Sequence, residues 1–224
     1  MERELEEISN YEEKVEHLKG ELDKVAPKLI ERAYELSTKR KAASEKLSAA
    51  IEKELGEVGM KNSRLSVEFE EKPISGRGLE RASFLFSANP DEKLKPLSRV
   101  VSGGELSRVM LVLKEVLARV EGGTVLVFDE ADSGVGGAVA ETVGRKIKNL
   151  STGYQVICIT HLPQIAKFAD THFRVLKTFK HGRTQVEVDV LDEEERVKEL
   201  GRMMGGLKIT EKTIEAAREM LKFK

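Results

Sequence analysis

The sequence predicts an α/β fold in which a mostly parallel sheet with helices sits behind a protruding N-terminal helical arm. Three observations lead there. Apolar residues recur at alternating spacings of three and four through the first 59 residues, the period changes to two after Gly59, and two apolar runs, TVLVFDE and QVICIT, flank a helical stretch as a strand–helix–strand unit. The expected division is therefore an arm over 1–59 and a lobe over 60–224.

In the arm, Ile8, Tyr11, Val15, Leu18, Leu22, Val25 and Leu29 make a heptad a/d stripe, the pattern of a helix that pairs with another helix. Three heptads also suit a single amphipathic helix lying on its own domain. Pro27 removes one backbone donor and predicts an interruption with a kink. Leu36, Ala43, Leu47, Ile51 and Leu55 resume the stripe until Gly56 and Gly59 end it.

Alternation at Leu65, Val67 and Phe69, and again at Phe84 and Phe86, predicts two strands around a loop from Pro73 to Gly78. From Glu105 to Val120 apolar positions surround the helix, which predicts burial all round. The runs TVLVFDE and QVICIT read as strands covered on both faces, joined by a helix from Ala138 to Leu150. Phe173–Phe179 and Thr184–Val190 form a hairpin about His181-Gly182-Arg183. Two helices follow, the first with an Asp192/Glu195 capping box and a Gly205-Gly206 stop, the second capped by Thr210.

Composition excludes several classes. No apolar run approaches the roughly 18 residues of a membrane span, and the acidic start Met1–Glu7 is unlike a leader, so the expectation is a cytoplasmic protein without membrane contact. A net charge of −1 gives no global case for nucleic-acid binding, so any DNA contact must be local. The lone Cys158, set in an apolar strand, excludes a disulfide scaffold and reads as a core residue.

Three groups carry chemistry. Val125–Phe128 deliver Asp129 and Glu130 to the C-terminal edge of the sheet, where open α/β folds bind ligands. One carboxylate there can hold Mg²⁺ while the next polarises water; a solvated acidic turn has the same pattern. Ser102-Gly103-Gly104-Glu105 opens a helix with two glycines, which suits an anion at the helix N-terminus or a plain N-cap. His161 ends the second strand and can reach a phosphate or a water, or serve only structure.

Taken in order, SGGE, VLVFDEADSGVGG and ITHLP resemble the C-terminal lobe of an ATP-binding-cassette ATPase head. With FLFSANP, ITHLPQIAKFAD and ELGRMMGGLKITEKTIEAAREML, the sequence resembles the RecN family of SMC-like DNA double-strand-break repair ATPases. That resemblance implies ATP and Mg²⁺ as cofactors. It implies Ser102, Gly103, Gly104 and Glu105 as the signature contacting ATP on the opposite head, Asp129 as the magnesium residue, Glu130 as the general base and His161 as the switch histidine. Asp132, Ser133 and Gly134 fall in the D-loop, which helps form the dimer interface, although the common SALD form is absent.

The loop GxxxxGK[ST], which would cradle the β- and γ-phosphates, does not occur in the sequence. The resemblance therefore implies an N-terminal lobe carrying that loop as a partner, a homodimer through ATP-engaged heads, and DNA. A non-hydrolytic docking module and another SMC- or Rad50-like head are the competing readings.

Overall fold

The computed structural model describes residues 2–99, 102–117, 125–180, 183–206 and 209–222, with side chains from Tyr11 onward, Lys180 excepted. The chain divides into two compact units, Met1–Ala49 with Ser66–Leu85, and Ala50–Leu65 with Phe86–Lys224. Among the described residues no helix is long and apolar enough to cross a membrane.

Helix α1 runs from Glu2 to Glu57 and passes through Pro27 without a break. Proline leaves the carbonyl of Asp23 without its helical donor, and Asp23 is exposed, so water can supply the missing bond. Tyr11, Val15, Leu18, Leu22, Val25 and Leu29 are all exposed, an apolar stripe with no cover among the described residues. The upper part of the second stripe is displaced from its expected place: Leu36 and Ala43 are exposed, and the buried positions are Ala33 and Ser37. Small residues there let the neighbouring strand come close, and Ser37 Oγ donates to Glu80 Oε2 at 2.7 Å.

Strands β1 (Arg64–Ser75), β2 (Gly78–Ser87) and β3 (Lys95–Pro96) form one sheet in the order β1-β2-β3. The expected loop from Pro73 to Gly78 shrinks to Gly76-Arg77, because the strands continue to Ser75 and restart at Gly78. Gly78 has φ +97, and Arg40 Nη1 donates to the carbonyl of Arg77 at 2.8 Å, holding this turn on α1.

In the second unit, α2 (Gly103–Leu117) begins two residues earlier than expected, and residues 118–120 lie outside the described residues. It is buried through Arg108, Val109, Leu111, Val112 and Leu113 but not all round, since Met110 is exposed. β4 (Val125–Phe128) pairs in parallel with β5 (Gln155–Cys158), Phe128 opposite Cys158, and α3 (Gly137–Leu150) makes the crossover. Thr124, the first residue of TVLVFDE, is outside the description.

These strands are not covered on both faces. Phe128 is buried, whereas Val125, Val127, Ile157 and Ile159 are exposed, Val127 at 61%. Among the described residues one face is left open, and alternate residues of a strand point to opposite sides.

Beyond β5, α4 (Pro163–Ala166) opens with Pro163 at its first turn. β6 (Phe173–Lys180) and β7 (Arg183–Val190) pair antiparallel, Val175 opposite Val188, with Phe173, Val175, Val186, Val188 and Val190 exposed. His181 and Gly182 lie outside the described residues. α5 (Glu193–Gly205) carries the reciprocal Asp192/Glu195 capping box, and Thr210 caps α6 (Glu211–Lys222) through the Thr213 N–H at 3.2 Å. Ala166, Val197, Leu200 and Ala217 form the small core of α4, α5 and α6.

Gly144 on α3 is where α4 and its following residues come closest. A Cβ there would lie 2.6 Å from Phe168 Cδ2 and 3.1 Å from the carbonyl oxygen of Gln164. Alanine gains about 1 kcal/mol in helix propensity, but forcing apart a buried ring and a backbone costs about 1–3 kcal/mol. Gly144→Ala is therefore expected to lower the melting temperature; a rise in a thermal scan would mean that propensity decides at this site.

Candidate functional site

The N-terminus of α2 and the ends of β4 and β5 meet in the second unit, and the turn after β4 joins them. Ser102 caps α2, its Oγ accepting from the Glu105 N–H at 3.4 Å and its carbonyl from the Leu106 N–H at 3.0 Å. One turn on, Ser107 Oγ donates to the carbonyl of Asp129 at 2.7 Å, and Arg108 Nη1 donates to the carbonyl of Ser133 at 2.7 Å. Burial pulls the Arg108 pKa down against the opposing charge of Glu105.

Where α2 meets this turn, a side chain at Gly104 would run into backbone, and one at Gly103 would meet the movable end of Glu130. A Cβ on Gly103 would lie 2.5 Å from Glu130 Oε2, and one on Gly104 would lie 2.7 Å from Ser133 Cβ and 3.2 Å from the carbonyl oxygens of Glu130 and Ser133. The anion facing the α2 N-terminus is thus the Glu130 carboxylate of the same chain. The approach that the two glycines were expected to offer a phosphate is present, and it is occupied by the neighbouring side chain.

Glu130 has φ 59, the one positive-φ residue other than glycine among those described, a conformation costing about 1–2 kcal/mol. The surrounding bonds impose it: the Ser133 N–H donates to the Glu130 carbonyl at 3.0 Å and the Val135 N–H to the Asp132 carbonyl at 3.3 Å. Two turns follow one another here, and Gly134 supplies φ +71 for the second. Asp129 and Glu130 emerge exposed, while Ala131 and Asp132 are buried between them and the core.

His161 follows β5, whose end is tied to β4 by the Ile159 N–H donating to the Phe128 carbonyl at 2.9 Å. Asp132, placed by the resemblance in a loop at a dimer interface, turns its carboxylate into its own chain. Its Oδ2 accepts from Thr160 Oγ1 at 2.6 Å and from the His161 N–H at 3.0 Å, and stands 2.9 Å from His161 Nδ1. Burial, then the charges of Asp132 and Asp129, push the thiol of the half-buried Cys158 up to a pKa of about 12, which disfavours the thiolate.

All the predicted site residues therefore gather around one turn: Ser102–Glu105 and Glu130 on one side, Asp129 at the strand end, Asp132 and His161 on the other. Sequence reading passed over Ser107, Arg108 and Thr160, which fasten the turn. Their only signal is position, one turn after SGGE and immediately before the histidine.

Among the described residues no cluster of three or more His, Cys, Asp or Glu side chains could hold a metal by itself. An exposed strand-end carboxylate fits Mg²⁺ all the same, since that ion keeps most of its waters and shares its remaining positions with one or two carboxylates and a phosphate.

No family model matches the chain. Curated relatives do: the DNA repair protein RecN of Bacillus subtilis (strain 168) is 40% identical over 238 residues, 99% of this chain and 41% of that protein. RecN of Halalkalibacterium halodurans is 38% identical over 226 residues, and RecN of Xylella fastidiosa (strain 9a5c) 36% over 224, each covering 99% of this chain and 40% of the relative. The chain spans about two fifths of the length of these relatives. Among solved structures, the Smc head domain with a coiled coil and joint from Pyrococcus yayanosii shares the fold, at TM-score 0.58 and 20% identity over 89% of this chain and 36% of that one. Similarity at this level runs through 99% of the residues, so the chain as a whole is similar to a stretch of RecN about two fifths of that protein's length.

Proposed function

We propose that this chain is the C-terminal half of a RecN-like SMC-type ATPase head acting in DNA double-strand-break repair, with 1–59 as the coiled-coil arm and 60–224 as the head lobe. ATP held between two heads drives their engagement, and hydrolysis releases them. The observation that carries the reading is the convergence of Ser102–Glu105, Asp129, Glu130 and His161 on one bracketed turn at the C-terminal edge of a parallel strand pair.

Each residue then has a task. Asp129 holds Mg²⁺, directly or through its water shell, and the bound ion supplies charge neutralisation for the phosphates. Glu130 accepts a proton from the attacking water. His161 meets that water or the γ-phosphate. Ser102, Gly103 and Gly104 offer backbone N–H groups and a small hydroxyl to ATP bound on the opposite head, once the Glu130 carboxylate has moved from the α2 N-terminus to its water.

A partner lobe carrying a GxxxxGK[ST] loop completes the nucleotide site. The open faces of β4–β5 and β6–β7 support this, because apolar strand surfaces such as Val125, Val127, Val186 and Val188 call for cover. The exposed stripe Tyr11–Leu29 supports a second arm helix in the same way. A second copy and DNA are the remaining partners, in the cytoplasm.

By itself the chain is expected to bind Mg-ATP poorly and to hydrolyse it negligibly, because Asp129 and Glu130 act on a phosphate that the missing loop must position. Mixing it with an N-terminal lobe of the family is expected to produce magnesium-dependent turnover. Turnover by the chain alone within about tenfold of the mixture would refute the half-site reading. A bound but inactive mixture would favour the docking module.

A further inference from the structure

Asp132 stands apart from the other carboxylates of the site. It is 5% exposed, while the ring it meets, His161, has a side chain 76% exposed. A single oxygen, Oδ2, serves the Thr160 hydroxyl at 2.6 Å, the His161 backbone N–H at 3.0 Å and His161 Nδ1 at 2.9 Å. The direction of these bonds is determined by a fourth. Thr160 Oγ1 accepts from the Leu162 N–H at 3.0 Å, so its own proton is committed to Asp132, and the carboxylate acts as the common acceptor.

We infer that Asp132 is a positioning residue that holds His161 as the Nδ1–H tautomer and leaves the Nε2 lone pair as the ring's open group. A carboxylate that only accepts requires a donor at Nδ1, and in neutral imidazole the other nitrogen then carries the lone pair. Nδ1 remains a donor when the ring is protonated, so the orientation is the same in both charge states. Only Nε2 changes, from accepting a water proton to donating to an oxyanion. Arg108 and Ser107 hold the turn that carries Asp132, so the ring is aligned by the same bracket that seats the α2 N-terminus.

What Nε2 meets rests on the ATPase reading above; the tautomer does not. The test is a long-range proton–nitrogen correlation of the histidine rings in the full chain, recorded at a pH high enough that the ring signals no longer move on further addition of base, so that the rings are neutral. His161 is identified by the signals lost in His161→Gln.

The wild-type ring is expected to be mainly Nδ1–H. Asp132→Ala is expected to return it to the Nε2–H form that free imidazole side chains prefer. Asp132→Asn keeps an oxygen acceptor and is expected to retain Nδ1–H. An Nε2–H majority in the wild type, or an unchanged ring in Asp132→Ala, overturns the inference; if the alanine variant does not fold, the wild-type and asparagine spectra decide.

In the head completed by its partner lobe, Asp132→Ala is expected to lower kcat by roughly tenfold to a hundredfold with KM little changed, since misalignment costs rate more than binding. An Asp132-dependent tautomer together with full hydrolysis in His161→Gln would sink the switch role and leave the positioning intact. The converse pair of results would sink the positioning and leave the switch.

Discussion

Glu130→Gln, in a head completed by its partner lobe, is expected to lose ATP hydrolysis by roughly a hundredfold or more while Mg-ATP affinity changes little. Glutamine keeps the shape and hydrogen bonding of glutamate but cannot take a proton from water. The local backbone is indifferent to the exchange: φ 59 is set by the Ser133 and Val135 turn bonds, and Gly103 has no Cβ to crowd the new amide. With Asp129 as the proposed magnesium residue, Asp129→Asn is expected to differ, because weakening that site would harm nucleotide binding as well as the chemical step. The glutamine variant is therefore expected to accumulate as an ATP-bound dimer on size-exclusion chromatography, and the asparagine variant is not. Equal losses of binding in both, with no ATP-dependent dimer in either, would erase the distinction between metal residue and base.

Lys146→Met is the substitution expected to cost the most stability. Lys146 lies on α3, is buried, and its ammonium meets the carboxylates of Glu54, Glu115 and Glu57, the latter two at 2.9 and 3.1 Å. Burial lowers its pKa, but the hydrogen bonds to Glu54, Glu115 and Glu57 outweigh this and hold it above the ordinary lysine value. Removing the cation leaves three carboxylates facing one another near the junction of α1, α2 and α3.

Breaking a buried ion pair costs about 3–5 kcal/mol, and the half-exposed Glu57 puts the expectation at the lower end, about 3 kcal/mol. Urea denaturation measures it, and adding Glu54→Gln with Glu115→Gln is expected to recover part of the loss by removing the repulsion. A midpoint for Lys146→Met equal to the wild type would show that water screens the cluster. The pH dependence has a definite sign. The folded pKa is raised, so the contribution is complete below the unfolded value of about 10.4 and is lost as pH rises through the folded one.

Much of this was legible in the residues. SGGE, DE and the histidine each mark an element end, and such ends are written in local chemistry: a helix-opening serine with glycines, an apolar run closing on carboxylates, a proline after a strand. The capping box at Asp192 and Glu195 and the Gly205-Gly206 stop are local in the same sense. The fastening of the site was not legible. Ser107, Arg108, Asp132 and Thr160 are polar residues without periodicity, and their partners lie 22, 25 and 28 positions away in the chain. Lys146 was hidden for the same reason, 92 positions from Glu54.

The runs VLVF and QVIC have the composition of strands covered on both faces, and among the described residues one face is open. Residue types record how apolar a strand is, without recording what covers each of its faces. By itself the sequence determined the α/β order of elements, the arm stripe, the residues of the candidate site and the resemblance to RecN, because these depend on local pattern and short motifs. Only the tertiary structure decided that Asp132 faces His161, that Glu130 sits against Gly103 in a left-handed turn, and that α1 runs through Pro27. Those outcomes depend on hydrogen bonds and close approaches between segments far apart in the chain, and on whether water can reach the groups left unpaired.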